Sequence, residues 1–137
     1  MRIGTDRAYV DLQILEVLTD PQAAGDTRVE ATVDVEGFRG TYSQVWFGSS
    51  GLTVFVQNLR ALLSDCEGTA RLQAMSPQEF SLEISRKGAH QWVKVDVHLE
   101  RVVHGGDGMG RASVHGWFEL DPSLLPAVLS EFEALTT

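Results

Sequence analysis

The sequence predicts an α+β fold in which an antiparallel meander sheet of about seven strands carries two amphipathic helices on one face. Two observations favour this fold. Apolar and polar residues alternate from Ala8 to Phe47 and again between Thr69 and Leu120, which is the period of half-buried strands. Apolar residues recur at helical spacing between these regions and at the end of the chain. The expected order is β-β-β-α-β-β-β-β-α, with one layer of sheet and one of helix.

Three strands are expected before the first helix. The first covers about Tyr9–Val17, and the second, Arg28–Glu36, alternates cleanly. The third follows a tight turn at Glu36–Gly37, where glycine supplies the positive φ that a two-residue hairpin requires. Pairing Val35 with Phe38 places apolar residues opposite apolar ones and polar residues opposite polar ones. The further pairs are Asp34 with Arg39, Thr32 with Thr41 and Ala31 with Tyr42.

The first helix is expected after this strand. Its apolar stripe consists of Leu52, Phe55, Val56, Leu59, Leu62 and Leu63. Ser49 or Ser50 can cap the N-terminus, and Gly68 can end the helix.

The second helix is expected at the end of the chain, after Asp121 as N-cap and Pro122 at the first helical position. Pro126 lies about one turn inside and is expected to distort the start. The apolar stripe consists of Leu125, Val128, Leu129, Phe132 and Leu135.

Four strands are expected between the helices, with a long flexible loop at Val103–Gly110 before the last of them. These strands are Thr69–Met75, Glu79–Ser85, Gln91–Val102 and Arg111–Leu120. A register that keeps the apolar face continuous produces two apolar rows, since a one-residue slip would turn a strand over. The rows are Leu72, Leu82, Val95, Phe118 and Ala70, Ile84, Val93, Leu120. The opposite face then carries a ladder of alternating charge, which is favourable across antiparallel strands: Arg71, Glu83, Lys94 and Glu119.

The polar face of this predicted sheet also carries two tryptophans, Trp92 and Trp117, with Asp96 opposite Trp117. Tryptophan is costly to expose without a partner and is enriched in the hot spots of interfaces. We therefore predict a protein-binding surface of these three residues with Glu83 and Glu119. The alternative is that a curled sheet end, a loop or the N-terminal strand covers one or both rings.

The same register places Glu79, His98 and His115 in one row. Cross-strand neighbours stand about 4.5–5.5 Å apart at Cβ, so two imidazoles and a carboxylate could share a divalent ion, with His104 as a further ligand. The alternative is a set of solvent-exposed histidines on a sheet face.

Length and composition limit the partners. The chain has 137 residues, 43% of them hydrophobic, which suits a single domain over residues 1–137. Its 11 Lys and Arg against 19 Asp and Glu give a net charge of −8. A surface of that sign repels phosphate backbones, so nucleic acid and anionic membranes are not expected partners. Cys66 has no second cysteine to pair with, and the N-terminus lacks a signal-peptide pattern; both favour a cytoplasmic protein.

Catalytic and cofactor motifs are not expected. The glycine-rich run Gly105–Gly110 precedes a strand, whereas a phosphate cradle needs a helix N-terminus. Cys66 is followed by the acid Glu67 rather than by a positive group or a base, so we interpret it as structural. We found no Ser–His–Asp spacing and no P-loop, and we predict neither an enzyme nor a cofactor.

The chain resembles small bacterial domains related to the WapI-type immunity proteins. The resemblance runs from Arg28 to Leu135 through GLTVFVQNLRALLSDCEGTARL, EFSLEISRKGAHQWVKVDVHLER and FELDPSLLPAVLSEFEAL. The matching positions are Gly51–Leu52, Gly68, Glu79–Phe80, Gly88, His90, Val93 and the Leu124–Leu135 stripe. The resemblance implies an immunity role and no catalytic residues.

Three functions remain open at this stage. The first is a non-enzymatic protein-binding module, an antitoxin-like immunity protein whose acidic sheet face masks a basic toxin domain. The second is a metal-binding protein or metal-dependent enzyme that uses Glu79, His98 and His115. The third is a structural homodimer that buries the tryptophan face against its own copy.

Overall fold

Residues 1–136 form two antiparallel sheets of four strands and two α-helices. The structure is a computed structural model that describes residues 1–136, so Thr137, the last residue of the predicted domain, lies outside the described residues. Sheet A consists of β1 (Arg2–Gly4), β2 (Ala8–Val17), β3 (Thr27–Val35) and β4 (Phe38–Phe47). Sheet B consists of β5 (Gly68–Gln73), β6 (Phe80–Arg86), β7 (Val93–His104) and β8 (Met109–Leu120). Each sheet follows chain order.

The expected single sheet of seven strands is therefore wrong, although the α+β class is confirmed. Helix α1 (Ser49–Asp65) separates β4 from β5, and these two strands do not pair. The chain leaves one sheet and begins another. Strand β1 was not predicted, because three residues are too few to show a period.

The hairpin between β3 and β4 confirms the predicted register pair by pair, from Val35 opposite Phe38 to Ala31 opposite Tyr42. Glu36 and Gly37 both have positive φ, at 52° and 91°, as both central residues of a type I′ hairpin turn require. The turn and the alternating pattern thus agree on one register.

The two sheets share one hydrophobic core with both helices. Its largest fully buried side chains include Ile3, Leu12, Phe47, Phe55, Phe80, Leu82 and Phe132. The sheets approach closely at Gly116 of β8, where an added Cβ would lie 3.1 Å from a methyl group of Val35 on β3. The expected arrangement of one sheet layer and one helix layer is replaced by two sheets that face each other across shared apolar side chains.

Helix α1 buries five of the six residues of the predicted stripe, Leu52, Phe55, Val56, Leu59 and Leu62, while Leu63 is half-buried against the core. Its ends differ from the prediction. Gly48 is the N-cap, and the Ser49 amide donates to Asp26 Oδ1 at 2.9 Å, so the capping carboxylate comes from a distant loop. Cys66 ends the helix in the left-handed conformation at φ 56°, and Gly68 already begins β5.

Helix α2 (Leu125–Leu135) follows a short 3-10 turn at Pro122–Leu124, and Pro126 occupies the first turn of α2. The expected distortion by Pro126 is thus located at the junction between the two helical segments. Phe132 packs edge-to-face on Phe55 of α1, with ring centroids 4.8 Å apart. Of the helices within residues 1–136, none has the length and apolar composition to cross a membrane.

Sheet B confirms the predicted register of β5 with β6 and of β7 with β8. Between β6 and β7 the predicted register is wrong by two residues: Leu82 stands opposite Val97, not Val95. A slip of two keeps every side chain on its own face, so the alternating pattern fits both registers equally well. The last hairpin also differs, since β7 and β8 extend to His104 and Met109 and leave a loop at 105–108.

Candidate functional site

The outer face of sheet B carries the residues that the sequence suggested for protein binding. Along β7 the odd-numbered residues from Val93 to Leu99 are buried, and the residues between them are turned outward. Glu83, Asp96 and Trp117 form one cross-strand row on β6, β7 and β8. Arg71 on β5 completes this row, because it stands opposite Glu83.

A second row runs beside the first, closer to the turn between β6 and β7. It contains Thr69, Ser85, Lys94 and Glu119. The predicted charge ladder therefore does not form as one row. Arg71 faces Glu83 and Lys94 faces Glu119, as expected, but Glu83 faces Asp96 instead of Lys94. The two-residue slip between β6 and β7 is the reason.

Both tryptophans are open to solvent, at 57% exposure for Trp92 and 56% for Trp117. Within residues 1–136, neither ring is buried under a curled sheet end, a loop or the N-terminal strand. The Lys94 ammonium lies 5.2 Å from the centre of the Trp117 ring, which is a cation–π distance. Asp96 is the cross-strand partner of Trp117, as predicted.

The two tryptophans line a shallow, open groove of about 510 Å³. Its other walls come from the end of β6, from the turn between β6 and β7 and from the nearby ends of β7 and β8: Ser85, Arg86, Lys87, His90, Gln91, Lys94 and Glu119. Arg86 and Lys87 are site residues that were not predicted from the sequence. Their signal was present as a basic pair directly before the turn that leads to Trp92.

Arg86 holds the turn in shape. Its guanidinium donates to the carbonyl oxygens of Ala89 at 2.8 Å and Gln91 at 3.3 Å, and the Gln91 amide donates back to Gly88 at 3.1 Å. These bonds satisfy backbone groups in a segment without strand partners. Trp92, which follows directly, is therefore presented from an ordered turn.

The acidic side of the face includes a contact with histidine. Asp96 Oδ1 lies 3.1 Å from His115 Nε2, and the ring of His115 stacks on that of His98 with centroids 5.2 Å apart. His98 Nε2 is buried without a hydrogen-bond partner in the described structure and lies 3.7 Å from Glu100 Oε1. His98 and His115 are direct cross-strand partners, as the sequence predicted.

Glu79 does not join the two histidines in the predicted row. Ser81 stands opposite His98, and the carbonyl of Glu79 instead accepts a hydrogen bond from the Glu100 amide at 2.9 Å. His104, the suggested further ligand, pairs with Met109 at the far end of the hairpin. Within residues 1–136, no three His, Cys, Asp or Glu side chains are grouped so that they could hold a metal ion.

A comparison with models of protein families identifies the family of the chain. The model of the immunity protein WapI-like family matches residues 1–137. The chain belongs to this WapI-like immunity family. The match confirms the resemblance found in the sequence, and family membership indicates an immunity protein, which implies a toxin as protein partner. No curated protein matches the chain, and no solved structure matches it either.

Proposed function

We propose that this member of the WapI-like family is a non-enzymatic immunity protein that binds its toxin through the outer face of sheet B. One observation carries the proposal: Trp92 and Trp117 are both more than half exposed on the same charged face. Large aromatic side chains dominate the energetics of interfaces, and each can bury about 150–250 Å². Two such anchors on one face suit the centre of a binding surface.

Charge supports a partner with a basic region. The net charge is −8, and three carboxylates share the face with Trp117: Asp96 stands opposite it, Glu83 stands opposite Asp96, and Glu119 lies two residues further along β8. Opposite charge on a partner would speed its diffusional encounter and orient it. Because this attraction acts through solvent, it weakens when the salt concentration rises, with a Debye length of about 8–10 Å at physiological salt.

The test begins with recovery of the toxin from the native cell by tagged protein at low salt. The recovered toxin is then expressed with or without the immunity protein, and growth is measured. We expect wild-type protein to restore growth. Trp92→Ala and Trp117→Ala should each weaken toxin binding by about ten-fold or more, as hot-spot truncation does.

A matched control tests whether toxin binding depends on the two tryptophans or on any exposed aromatic side chain. Phe38 is 77% exposed at the turn between β3 and β4, on sheet A. Phe38→Ala should bind and neutralise the toxin like wild type. If no protein is recovered at low salt, or if both tryptophan variants bind the toxin like Phe38→Ala, the proposal is wrong.

A further inference from the structure

The groove between Trp92 and Trp117 is positively charged, although the chain as a whole is acidic. Arg86, Lys87 and Lys94 line it, and Glu119 is the one carboxylate among its lining residues. This local excess of positive charge contrasts with the net charge of −8. The groove therefore differs in sign from the chain as a whole.

These three cations lack neutralising partners. Elsewhere in the described chain five arginines form ion pairs, among them Arg28 with Glu16 at 3.3 Å and Arg60 with Glu133 at 3.0 Å, whereas Arg39, Arg71 and Arg101 form none. In the described part of the chain, none of the three groove cations forms an ion pair. Arg86 is bound to backbone carbonyl groups, which leave its charge intact. Lys87 is exposed in the turn.

Positive charge also stands directly beside the aromatic surface. The Lys94 ammonium over the Trp117 ring joins a cation to an apolar platform, and Trp92 follows the turn that Arg86 orders. A ligand that fills the groove would meet both cationic and tryptophan side chains. A ligand complementary to these groups would be a carboxylate-rich segment with an apolar side chain in its middle.

We infer that this groove binds an acidic segment of the toxin in which carboxylates flank an apolar or aromatic side chain. The inference rests on the proposed function, whose partner it describes in more detail. The groove volume of about 510 Å³ lies in the range of ligand sites, about 300–1,000 Å³, but its shallow and open form suits a polypeptide segment better than an enclosed small molecule.

The toxin-binding face then has two zones of opposite charge. Glu83 and Asp96 stand side by side in the row that ends at Trp117, and the groove cations lie toward the turn. A partner must match both zones, so the pattern selects one orientation and disfavours a uniformly basic surface. Like charges placed across an interface reduce affinity.

The experiment uses the full chain and two capped peptides that differ only in charge. One has four glutamates around a central Leu–Phe pair, and the other has four lysines in their place. Binding is measured at low salt by tryptophan fluorescence and by calorimetry. We expect the glutamate peptide to bind at least about ten-fold more tightly than the lysine peptide.

Two variants with the same change in charge locate the effect. Lys87→Glu places a carboxylate in the groove and should weaken binding of the glutamate peptide by about five-fold or more. Arg39→Glu makes the same change on β4 of sheet A, outside both the groove and the outer face of sheet B, and should alter binding less than two-fold. Both side chains are exposed, so neither change disturbs the core.

Several results would overturn the inference: equal binding of the two peptides, binding of neither, or equal losses for the two variants. Tighter binding of a single-stranded oligothymidine than of the glutamate peptide would overturn it too, since the groove would then select phosphates. If toxin neutralisation still depended on Trp92 and Trp117 while the peptide results were negative, the acidic-segment inference would fail and the proposed function would stand. If the glutamate peptide binds but neither tryptophan variant loses neutralisation, the proposed function would fail instead.

Discussion

The inner and outer faces of sheet B are built from alternate residues of the same strands, yet we expect the inner face to stabilise the fold and the outer face to bind the partner. Leu82, Val95 and Val97 are 0% exposed and belong to the core shared by both sheets. Their neighbours in sequence include Asp96, and Trp117, which is 56% exposed, follows Gly116 on β8. Because side chains alternate with a period of two, folding stability and partner binding can be assigned to different residues one position apart.

The largest expected effect is on the inner face. Leu82→Ala removes a fully buried side chain and leaves a cavity, so we expect a loss of about 2–5 kcal/mol in the free energy of unfolding. Glu83→Ala, one residue further on the outer face, should change this free energy by less than about 1 kcal/mol. Urea denaturation of both variants measures the contrast, and similar losses for the two would show that the faces are not separated in this way.

Gly116 tests how closely the inner face of β8 approaches sheet A. Valine is a better strand former than glycine, but its Cβ would lie 3.1–3.3 Å from side-chain atoms of Val35. We therefore expect Gly116→Val to lower the free energy of unfolding by about 1–3 kcal/mol through overpacking. The loss should shrink in a Val35→Ala background, as measured by a double-mutant cycle. An undiminished loss in that background would exclude contact with Val35 as the cause.

Lys94 tests the charges of the outer face, where smaller effects are expected. Its cross-strand partners are Ser85 and Glu119, and its ammonium lies over Trp117. Lys94→Glu should cost more stability than Lys94→Ala, by a few tenths of a kcal/mol up to about 1, because a new carboxylate then faces Glu119. The difference should decrease with salt in thermal denaturation. A difference independent of salt would contradict this electrostatic explanation.

The smallest expected effect concerns Asp121, where β8 leads into the final helical segment. The Ser123 amide donates to Asp121 Oδ1 at 2.9 Å and, together with the Ser123 hydroxyl, lowers the pKa of this carboxyl. A lowered pKa means that the contact stabilises the fold at neutral pH and that this contribution is lost as pH falls through the folded-state pKa. Asp121→Asn should therefore flatten the acid side of the melting temperature against pH. An unchanged acid limb would show that this carboxyl does not contribute.

Local patterns in the sequence predicted much of the molecule because they act within short stretches of chain. The register of the β3–β4 hairpin was correct at every predicted pair, since a two-residue turn allows no slip that keeps the apolar face. The stripe of α1 was also correct at five of its six positions, with Leu63 half-buried. On the candidate site, the outward placement of Trp92, Trp117, Glu83 and Glu119 followed from the same alternation.

Other features depend on contacts between distant parts of the chain. The six residues between β6 and β7 leave room for a slip of two, and the apolar pattern accepts either register. This slip separated Glu79 from His98 and set Glu83 opposite Asp96. The cap of α1 comes from Asp26, which lies 23 residues before Ser49. None of these contacts leaves a periodic signal in the sequence.

The sequence by itself determined both helices, all strands except β1, and which of their faces is apolar, because periodicity and turn chemistry are local properties. Only the tertiary structure decided that the strands divide into two sheets, that β6 and β7 pair two residues out of the predicted register, and that Arg86 and Lys87 meet the tryptophans in one groove. These outcomes depend on packing between segments, where several arrangements bury the same apolar residues and only three-dimensional fit selects among them.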